Sequence, residues 1–329
     1  MKEGAAMRKY KKWGIVLLTV VILAIGGFLF RKQLAVLAFD MFLSERVEKT
    51  LEQTYKPIIG KIEVIREENT PFSLLLLGID QRDKEAGRSD SIIYSIVRPK
   101  ENRILLLSIP RDAYAELVGK DIQDKIAHAY AFGEAKMSVE SVENLLQHPV
   151  NHYAAINFTG FKDVVDALDG VKLPITQDIV NKHWSHDKFR IEANKPIYNG
   201  LEALNYVRYR EDSDMNRTMR NRIFLQAVME RAVELDKIGR IPELMEIAGD
   251  NFTTDMLPKD MIDLAKSIIA KDSLPAFSSY MLDGEGAMIN GVWYYMLDDE
   301  DLQYARQLIE NWLDPTVDSE RLMEPKEKA

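Results

Sequence analysis

Hydrophobic and polar positions divide the chain into an apolar N-terminal run and a long region of mixed pattern. Residues 13–30 carry no charge, and about 18 such residues are close to the minimum that spans a hydrocarbon core. Basic residues flank the run: Arg8, Lys9, Lys11 and Lys12 precede it, and Arg31 and Lys32 follow it. Because the stronger basic cluster comes first, we expect residues 1–12 in the cytoplasm and a single-pass signal anchor in the lipid bilayer at 13–30. A buried core helix or a cleaved signal peptide is the alternative.

Apolar runs bounded by polar turns predict the strands of a sheet. Residues 72–79 form an apolar run that indicates a strand buried on both faces. Residues 90–97 and 103–109 follow as further strands, separated by a polar turn at 98–102, and residues 152–157 predict a fourth.

Apolar residues at helical spacing predict helices at 138–147, 159–168, 200–209 and 214–235. Strands mixed with crossover helices are typical of the α/β class. We therefore expect a mixed β-sheet covered by helices on both faces, with an N-terminal transmembrane helix attached to it.

The same pattern predicts the domain organisation. Residues 31–71 read as an extracytoplasmic stalk and linker, and residues 72–240 as the α/β domain. Residues 241–317 predict a C-terminal extension that packs on this core, with helices at 258–270 and 301–313, a strand at 276–282, and turns at Gly284, Gly286 and Gly291. No catalytic cluster is evident in the extension. Residues 318–329 are highly charged, and we expect a frayed tail.

Composition narrows the possible chemistry. The chain has no cysteine, which excludes disulfides, thiolate zinc sites and a thiol nucleophile. Residues 1–32 carry seven basic and one acidic side chains, or +6, so the net charge of −9 leaves about −15 on the remainder. Such an acidic region would not bind nucleic acid through a general field. An anionic ligand would need a local cationic pocket.

Charged residues gather where the predicted strands end. Asp80 follows the first strand, Asp90 opens the second, and Arg111 and Asp112 follow the third. Ligands of open α/β sheets bind at strand ends, so these residues could converge on one site. Asp80 and Asp90 are plausible joint ligands of Mg²⁺, which combines a few carboxylates with phosphate and water. Turn formation or helix capping is the alternative role for both aspartates.

An arginine cluster at 208–222 is the densest charged segment of the chain. Guanidinium groups bind phosphate oxygens bidentately, although a solvated helix start with internal ion pairs is the more common outcome. At about 100° per residue, Arg217 lies on the same helical stripe as Phe224 and Val228, and Arg220 lies beside it. We therefore expect Arg217 and Arg220 to point into a cleft. Asn221 flanks the same face.

The motifs together resemble the LytR-CpsA-Psr family, whose members attach teichoic acids and other glycopolymers to bacterial peptidoglycan. The resemblance covers roughly residues 73–255 and rests on several segments in the right order. These segments are 77–82 (LGIDQR), 87–90 (GRSD), 108–112 (SIPRD), 124–130 (DKIAHAY), 166–171 (DALDGV) and 201–210 (LEALNYVRYR). The family usually has Gln where this chain has Asn221, and often Gly where it has Glu134.

The resemblance implies roles for individual residues. It implies Mg²⁺ at Asp80 and Asp90, and an apolar tunnel that holds the lipid tail of a polyprenyl-diphosphate-linked glycopolymer. It also implies that basic residues grip the pyrophosphate: Arg111, Lys125, Arg208, Arg210 and Arg217. The residue pattern adds further candidates for this contact: Arg88, Arg220 and Asn221.

The implied function is a magnesium-dependent phosphotransferase on the outer face of a cell membrane, Gram-positive by analogy. Arg111 and Arg217 would polarise the pyrophosphate while a peptidoglycan hydroxyl, the 6-hydroxyl of N-acetylmuramic acid, attacks the sugar-proximal phosphorus. Asp80 or Asp112 could accept the proton. Three alternatives stay open: a non-catalytic module that binds wall polymer or lipid carrier, a cell-envelope regulator, and a hydrolase that uses water. We expect His128 to be structural.

Overall fold

The computed structural model describes residues 44–61, 69–80, 87–182, 188–209, 214–232, 246–247, 249, 251–271 and 273–326. The expected cytoplasmic tail, the span at 13–30 and much of the linker lie outside these residues. Among the helices that are described, none combines the length and the apolar character needed to cross a bilayer.

The described chain mixes runs of consecutive strands with helices. The strands are β1 (Phe72–Asp80), β2 (Arg88–Arg98), β3 (Arg103–Ser108), β4 (Tyr114–Leu117), β5 (Ile122–Lys125), β6 (His152–Asn157), β7 (Ile179–Asn181), β8 (Phe189–Ile191), β9 (Phe252–Thr254), β10 (Ala276–Met281), β11 (Gly284–Ile289) and β12 (Val292–Leu297). The helices are α1 (Ser44–Thr54), α2 (His128–Leu146), α3 (Phe158–Ala167), α4 (Gly200–Arg208), α5 (Asp214–Ala232), α6 (Pro258–Ala270) and α7 (Asp299–Leu313).

The central sheet is mixed, as the sequence predicts. Its strand order is β10-β3-β2-β1-β6-β9. The pairs β1–β2, β2–β3 and β6–β9 are antiparallel, whereas β1–β6 and β3–β10 are parallel. Three two-stranded hairpins, β4–β5, β7–β8 and β11–β12, lie outside this sheet.

Side chains of β1 alternate between two layers, because successive residues of a strand point to opposite faces. Leu75, Leu77 and Ile79 are buried in a cluster with residues of α2 and α7, such as Val139 and Trp312. The alternate β1 residues face α3, α4 and α5 across an apolar cavity. The prediction that helices cover both faces of the sheet is therefore confirmed.

Helix α2 begins at His128 rather than at residue 138, and it contains a kink that hides its first part from the sequence pattern. Gly133 has φ −151° and ψ 24°, and Glu134 has φ 52° and ψ −144°. A positive φ favours glycine, so Glu134 holds a backbone conformation that residues other than glycine rarely adopt. The kink interrupts the helical periodicity and explains the late start predicted for this helix.

The C-terminal extension does more than pack on the core. It supplies both edge strands of the central sheet, since β9 pairs with β6 and β10 pairs with β3. The predicted turns at Gly284 and Gly286 are instead part of strand β11, which pairs with β12. Only the turn at Gly291 is where the sequence placed it, with φ 80°.

The expectation of a frayed tail is wrong for residues 318–326. Leu322 is buried in the main core cluster, and Trp312 Nε1 donates a hydrogen bond of 2.8 Å to the Met323 carbonyl. The buried Arg98 guanidinium also donates to the Trp312 carbonyl at 2.6 Å and to the Asp314 carbonyl at 3.0 Å. The tail is rich in charged residues, so its few anchoring residues form no recognisable apolar pattern.

Leu322→Ala should lower the free energy of unfolding by about 2 to 4 kcal/mol, because truncating a buried leucine leaves a cavity. Leu201→Ala is the matched control, since Leu201 is 57% exposed. Urea titration of the purified full chain measures both variants. Equal stability of the two variants would mean that the tail does not contribute to the core.

Candidate functional site

A β-bulge presents Asp90 at the end of the central sheet. Gly78 of β1 lies opposite Ser91, whereas Ile79 lies opposite Ser89, so Asp90 is an extra residue on β2. Bulges redirect side chains and occur frequently beside active sites. Asp90 here lines the apolar cavity.

Arg111 joins the residues that follow the sheet into one ion-pair network. Its Nη1 donates to Asp90 Oδ1, and its Nε lies 3.4 Å from Asp112 Oδ2. Lys125 Nζ is 2.8 Å from Asp112 Oδ1. Burial acts to lower the pKa of Arg111, but the charges of Asp90 and Asp112 outweigh it and raise the pKa above its usual value. Arg111 is therefore firmly cationic.

Backbone hydrogen bonds fix the loop that carries this network. Ala127 N donates to the Arg111 carbonyl at 3.0 Å, and Ser89 N donates to the Ala127 carbonyl at 3.3 Å. On the other side, Tyr295 N donates to the Asp112 carbonyl at 2.9 Å. The Arg111–Asp112 segment is thus held between the start of α2 and strand β12.

An apolar cavity of about 270 Å³ lies between the sheet and α3, α4 and α5. Helix α5 lines it with Asn221, Phe224, Leu225 and Val228, a spacing of one helical face. This agrees with the predicted apolar stripe of the helix. Asp90, Arg208 and Asn221 are polar residues among an otherwise largely apolar lining. The cavity thus suits a molecule with a long apolar part and an anionic group.

Two of the predicted arginines occupy different environments. Arg208 ends α4 and places its guanidinium 4.6 Å from the centre of the Phe158 ring while it lines the cavity. Arg220 is 5% exposed, and its Nη2 donates to the Tyr209 carbonyl at 2.6 Å. Arg220 therefore binds the residue that follows α4, and its contact with a pyrophosphate stays a prediction.

The structure brings together some of the predicted residues. Asp90, Arg111 and Lys125 share one network through Asp112, and Arg208 and Asn221 share the cavity with Asp90. Arg88 is exposed and pairs in register with Asp80 at the end of the sheet. Arg210 lies outside the described residues, as does the side chain of Arg217, whose backbone belongs to α5.

The metal prediction rests on two carboxylates at neighbouring strand ends. Within the described ranges, no group of three or more histidine, aspartate or glutamate side chains could hold a metal ion. Mg²⁺ often uses only one or two protein carboxylates and completes its shell with substrate phosphates and water. Two carboxylates are enough for that mode, and magnesium binding by Asp80 and Asp90 stays a prediction.

Two features beside Arg111 are not evident from the sequence pattern. Asp124 Oδ2 lies 2.8 Å from His128 Nδ1, and hydrogen bonds from His128 and from Lys125 N overcome burial and lower the pKa of Asp124. The rings of Trp293 and Tyr294 centre 5.9 and 5.8 Å from Lys125 Nζ. The spacing of Asp124 and His128, four residues apart at a helix start, is the only sequence signal for either feature.

The chain is similar to known proteins over most of its length. The LytR_cpsA_psr family model matches residues 41–310. A relative from Bacillus cereus, named polyisoprenyl-teichoic acid–peptidoglycan teichoic acid transferase TagU, is 35% identical over 288 residues. That match covers 84% of this chain and 90% of the relative.

Two solved structures are also similar to this chain. The crystal structure of Bacillus subtilis TagV has a TM-score of 0.64 and 30% identity, covering 75% of this chain and 99% of TagV. A structure described as TagT bound to LI-WTA has a TM-score of 0.58 and 31% identity, covering 78% of this chain and 95% of that one.

Arg111→Ala should weaken binding of inorganic pyrophosphate about tenfold or more, because it removes a guanidinium that can form charge-assisted hydrogen bonds to phosphate oxygens. Isothermal titration of the full chain measures this affinity. Arg190→Ala is the matched control, since Arg190 also pairs with an aspartate, Asp178, but lies in the β7–β8 hairpin outside the central sheet. An equal loss in both variants would show that the effect is not local to Arg111.

Proposed function

The chain belongs to the LytR-CpsA-Psr family, and on that premise we propose that it transfers a glycopolymer from a polyprenyl diphosphate to peptidoglycan. The supporting observation is the apolar cavity lined by Asp90, whose carboxylate binds the firmly cationic Arg111. A polyprenyl diphosphate has the same division between a long apolar chain and an anionic group. Teichoic acid is the proposed polymer, by analogy with the named relative.

The cavity would hold the isoprenoid chain. Its lining residues from β1, β6 and α5, such as Leu76, Ala154 and Phe224, present an apolar surface whose burial of a lipid chain is favourable. The diphosphate would then lie at the polar residues of the cavity, close to Arg111 and Arg208. Lys125 pairs with Asp112 and is a further cation near Arg111. Arg88, Arg210, Arg217, Arg220 and Asn221 complete the proposed pyrophosphate-binding set.

The proposed reaction is a phosphoryl transfer with a balanced outcome. The oxygen of a peptidoglycan hydroxyl forms a bond to the glycan-proximal phosphorus, and the bond from that phosphorus to the bridging oxygen breaks. Polyprenyl phosphate leaves with the bridging oxygen, the glycopolymer remains as a phosphodiester, and one proton is released. Positioning and charge neutralisation supply most of the catalysis in such reactions.

Arg111 contributes fixed positive charge at the point where negative charge develops on the phosphate oxygens. Its guanidinium already lies in a pre-formed network, so little reorganisation is needed when the anion binds. Asp80 and Asp90 would hold Mg²⁺, which when bound would neutralise further phosphate charge. The proposed localisation is extracytoplasmic, with residues 13–30 as the membrane anchor.

Removal of the metal ion with a chelator should lower the rate of transfer by about two orders of magnitude, and Asp80→Asn should have the same effect. The reason is that a bound metal ion stabilises the charge of the transition state by several kcal/mol. The assay combines the purified full chain with Mg²⁺, a polyprenyl-diphosphate glycan and a peptidoglycan oligomer, and measures the covalent product. Asp178→Asn is the control, since Asp178 is an ion-paired aspartate away from the cavity.

Each other outcome of this assay has a distinct meaning. Full activity in the presence of a chelator would contradict the magnesium prediction. Release of glycan without linkage to the oligomer would indicate a hydrolase. Binding of the donor with neither product would indicate a non-catalytic module.

Ala154→Phe should weaken binding of long-chain polyprenyl diphosphates, because the larger side chain fills the cavity. The affinity for a donor with a very short prenyl chain should change little, so the variant should lose the preference for long chains. Titration of wild type and variant with donors of two chain lengths measures this preference. An unchanged preference would place the lipid chain elsewhere.

A further inference from the structure

An exposed aromatic surface lies beside the Arg111 network, on the β11–β12 hairpin. Trp293 is 44% exposed, an unusual state for a tryptophan, which is highly buried on average. The Tyr295 ring lies next to it, with centroids 6.4 Å apart. The transfer reaction as described above uses neither residue.

The Trp293 indole packs against a glycine of the neighbouring strand. Gly286 lies opposite Tyr295 on the neighbouring strand. A Cβ atom added to Gly286 would lie 2.8 Å from the indole Nε1 and 3.1 Å from Cζ2, so the indole occupies the space that a side chain at this position would need. The indole therefore rests on the backbone of β11. A ring that is fixed before binding loses little freedom when a ligand contacts it.

The hairpin is joined directly to the candidate site. Tyr295 N donates to the Asp112 carbonyl, and Lys125 Nζ lies between Asp112 at 2.8 Å and the Trp293 ring centre at 5.9 Å. On the adjacent strand position, the Tyr294 ring packs against Tyr114 with centroids 4.9 Å apart. A molecule stacked on Trp293 would thus lie one side chain from the Asp112–Arg111 pair.

The hairpin carries acidic charge mainly at its base, away from its tip, where Trp293 lies opposite Met288. The exposed acidic residues of the base and of β11 are Asp283, Glu285, Asp298, Asp299 and Glu300. They would repel an anionic bilayer surface and an anionic polymer such as teichoic acid. Carboxylates accept hydrogen bonds from sugar hydroxyls, and the electron-rich face of an indole attracts the C–H face of a pyranose ring.

We propose that Trp293 is the subsite for the acceptor and stacks against a neutral pyranose ring of the peptidoglycan glycan strand. Its indole packs on Gly286 and lies next to Tyr295. The inference rests on the proposed function, which requires such an acceptor next to the diphosphate. The hairpin thereby supplies acceptor recognition, while the cavity and the arginines supply donor recognition.

Trp293→Ala should weaken binding of a soluble peptidoglycan tetrasaccharide about tenfold and raise the acceptor KM to the same extent. The donor KM should stay within about twofold of the wild-type value, since Trp293 does not line the cavity proposed for the donor. Trp293→Tyr should restore much of the affinity through its aromatic face. Titration and steady-state kinetics of the full chain in detergent measure these values.

Val292→Ala is the matched control, because Val292 is 43% exposed and precedes Trp293 on the same strand. It should leave acceptor binding unchanged. An unchanged acceptor affinity in Trp293→Ala, or an equal loss of donor affinity, would overturn the proposal. A defect that occurs only in lipid vesicles, with normal acceptor binding in detergent, would indicate a membrane contact and would overturn it as well.

The subsite and the proposed function can fail separately. Tetrasaccharide binding that depends on Trp293, without any transfer by the wild type, would support the subsite and contradict the transferase. Transfer with an acceptor KM that does not respond to Trp293→Ala would support the transferase and overturn the subsite.

Discussion

The Arg111 guanidinium, held between Asp90 and Asp112, is the interaction on which the site depends. Its groups are partly buried, so leaving any one of them without a partner would be costly. The pairing connects the bulge of β2 with the segment after β3, and Lys125 extends it to the β4–β5 hairpin. Two cations, Arg111 and Lys125, therefore connect three parts of the chain.

The bulge at Asp90 links this polar network to the apolar cavity. Without the extra residue, the alternation of β2 would continue unbroken past Ser89 and Ser91. With it, a single carboxylate lines the cavity and also binds Arg111. The result is an amphipathic site, apolar along α5 and charged at the sheet end, where Arg111 is proposed to bind the anionic group of the donor.

Much of the fold follows from local sequence pattern, but some parts depend on long-range contacts. Strands β1 and β6 lie where apolar runs bounded by polar turns predict them, and helix α6 lies where apolar residues at helical spacing predict it. Strands of three or four residues, such as β7 and β8, are too short for alternation to show. Leu322 is recognisable as a core residue only from its contact with distant segments.

Local sequence pattern also predicts some residues of the candidate site but not others. Strand-end position singles out Asp90 and Arg111, and helical spacing places Asn221 and Phe224 on one face, which the cavity confirms. The bulge, the environment of Arg220 and the approach of Trp293 to Lys125 depend on tertiary packing, which no local pattern encodes.

The most direct test is a crystal structure of the full chain with a non-hydrolysable polyprenyl diphosphate analogue. We expect the prenyl chain to occupy the cavity between β1 and α5 and the diphosphate to contact the Arg111 guanidinium. A diphosphate bound away from Arg111, or a prenyl chain outside the cavity, would rule out this binding mode.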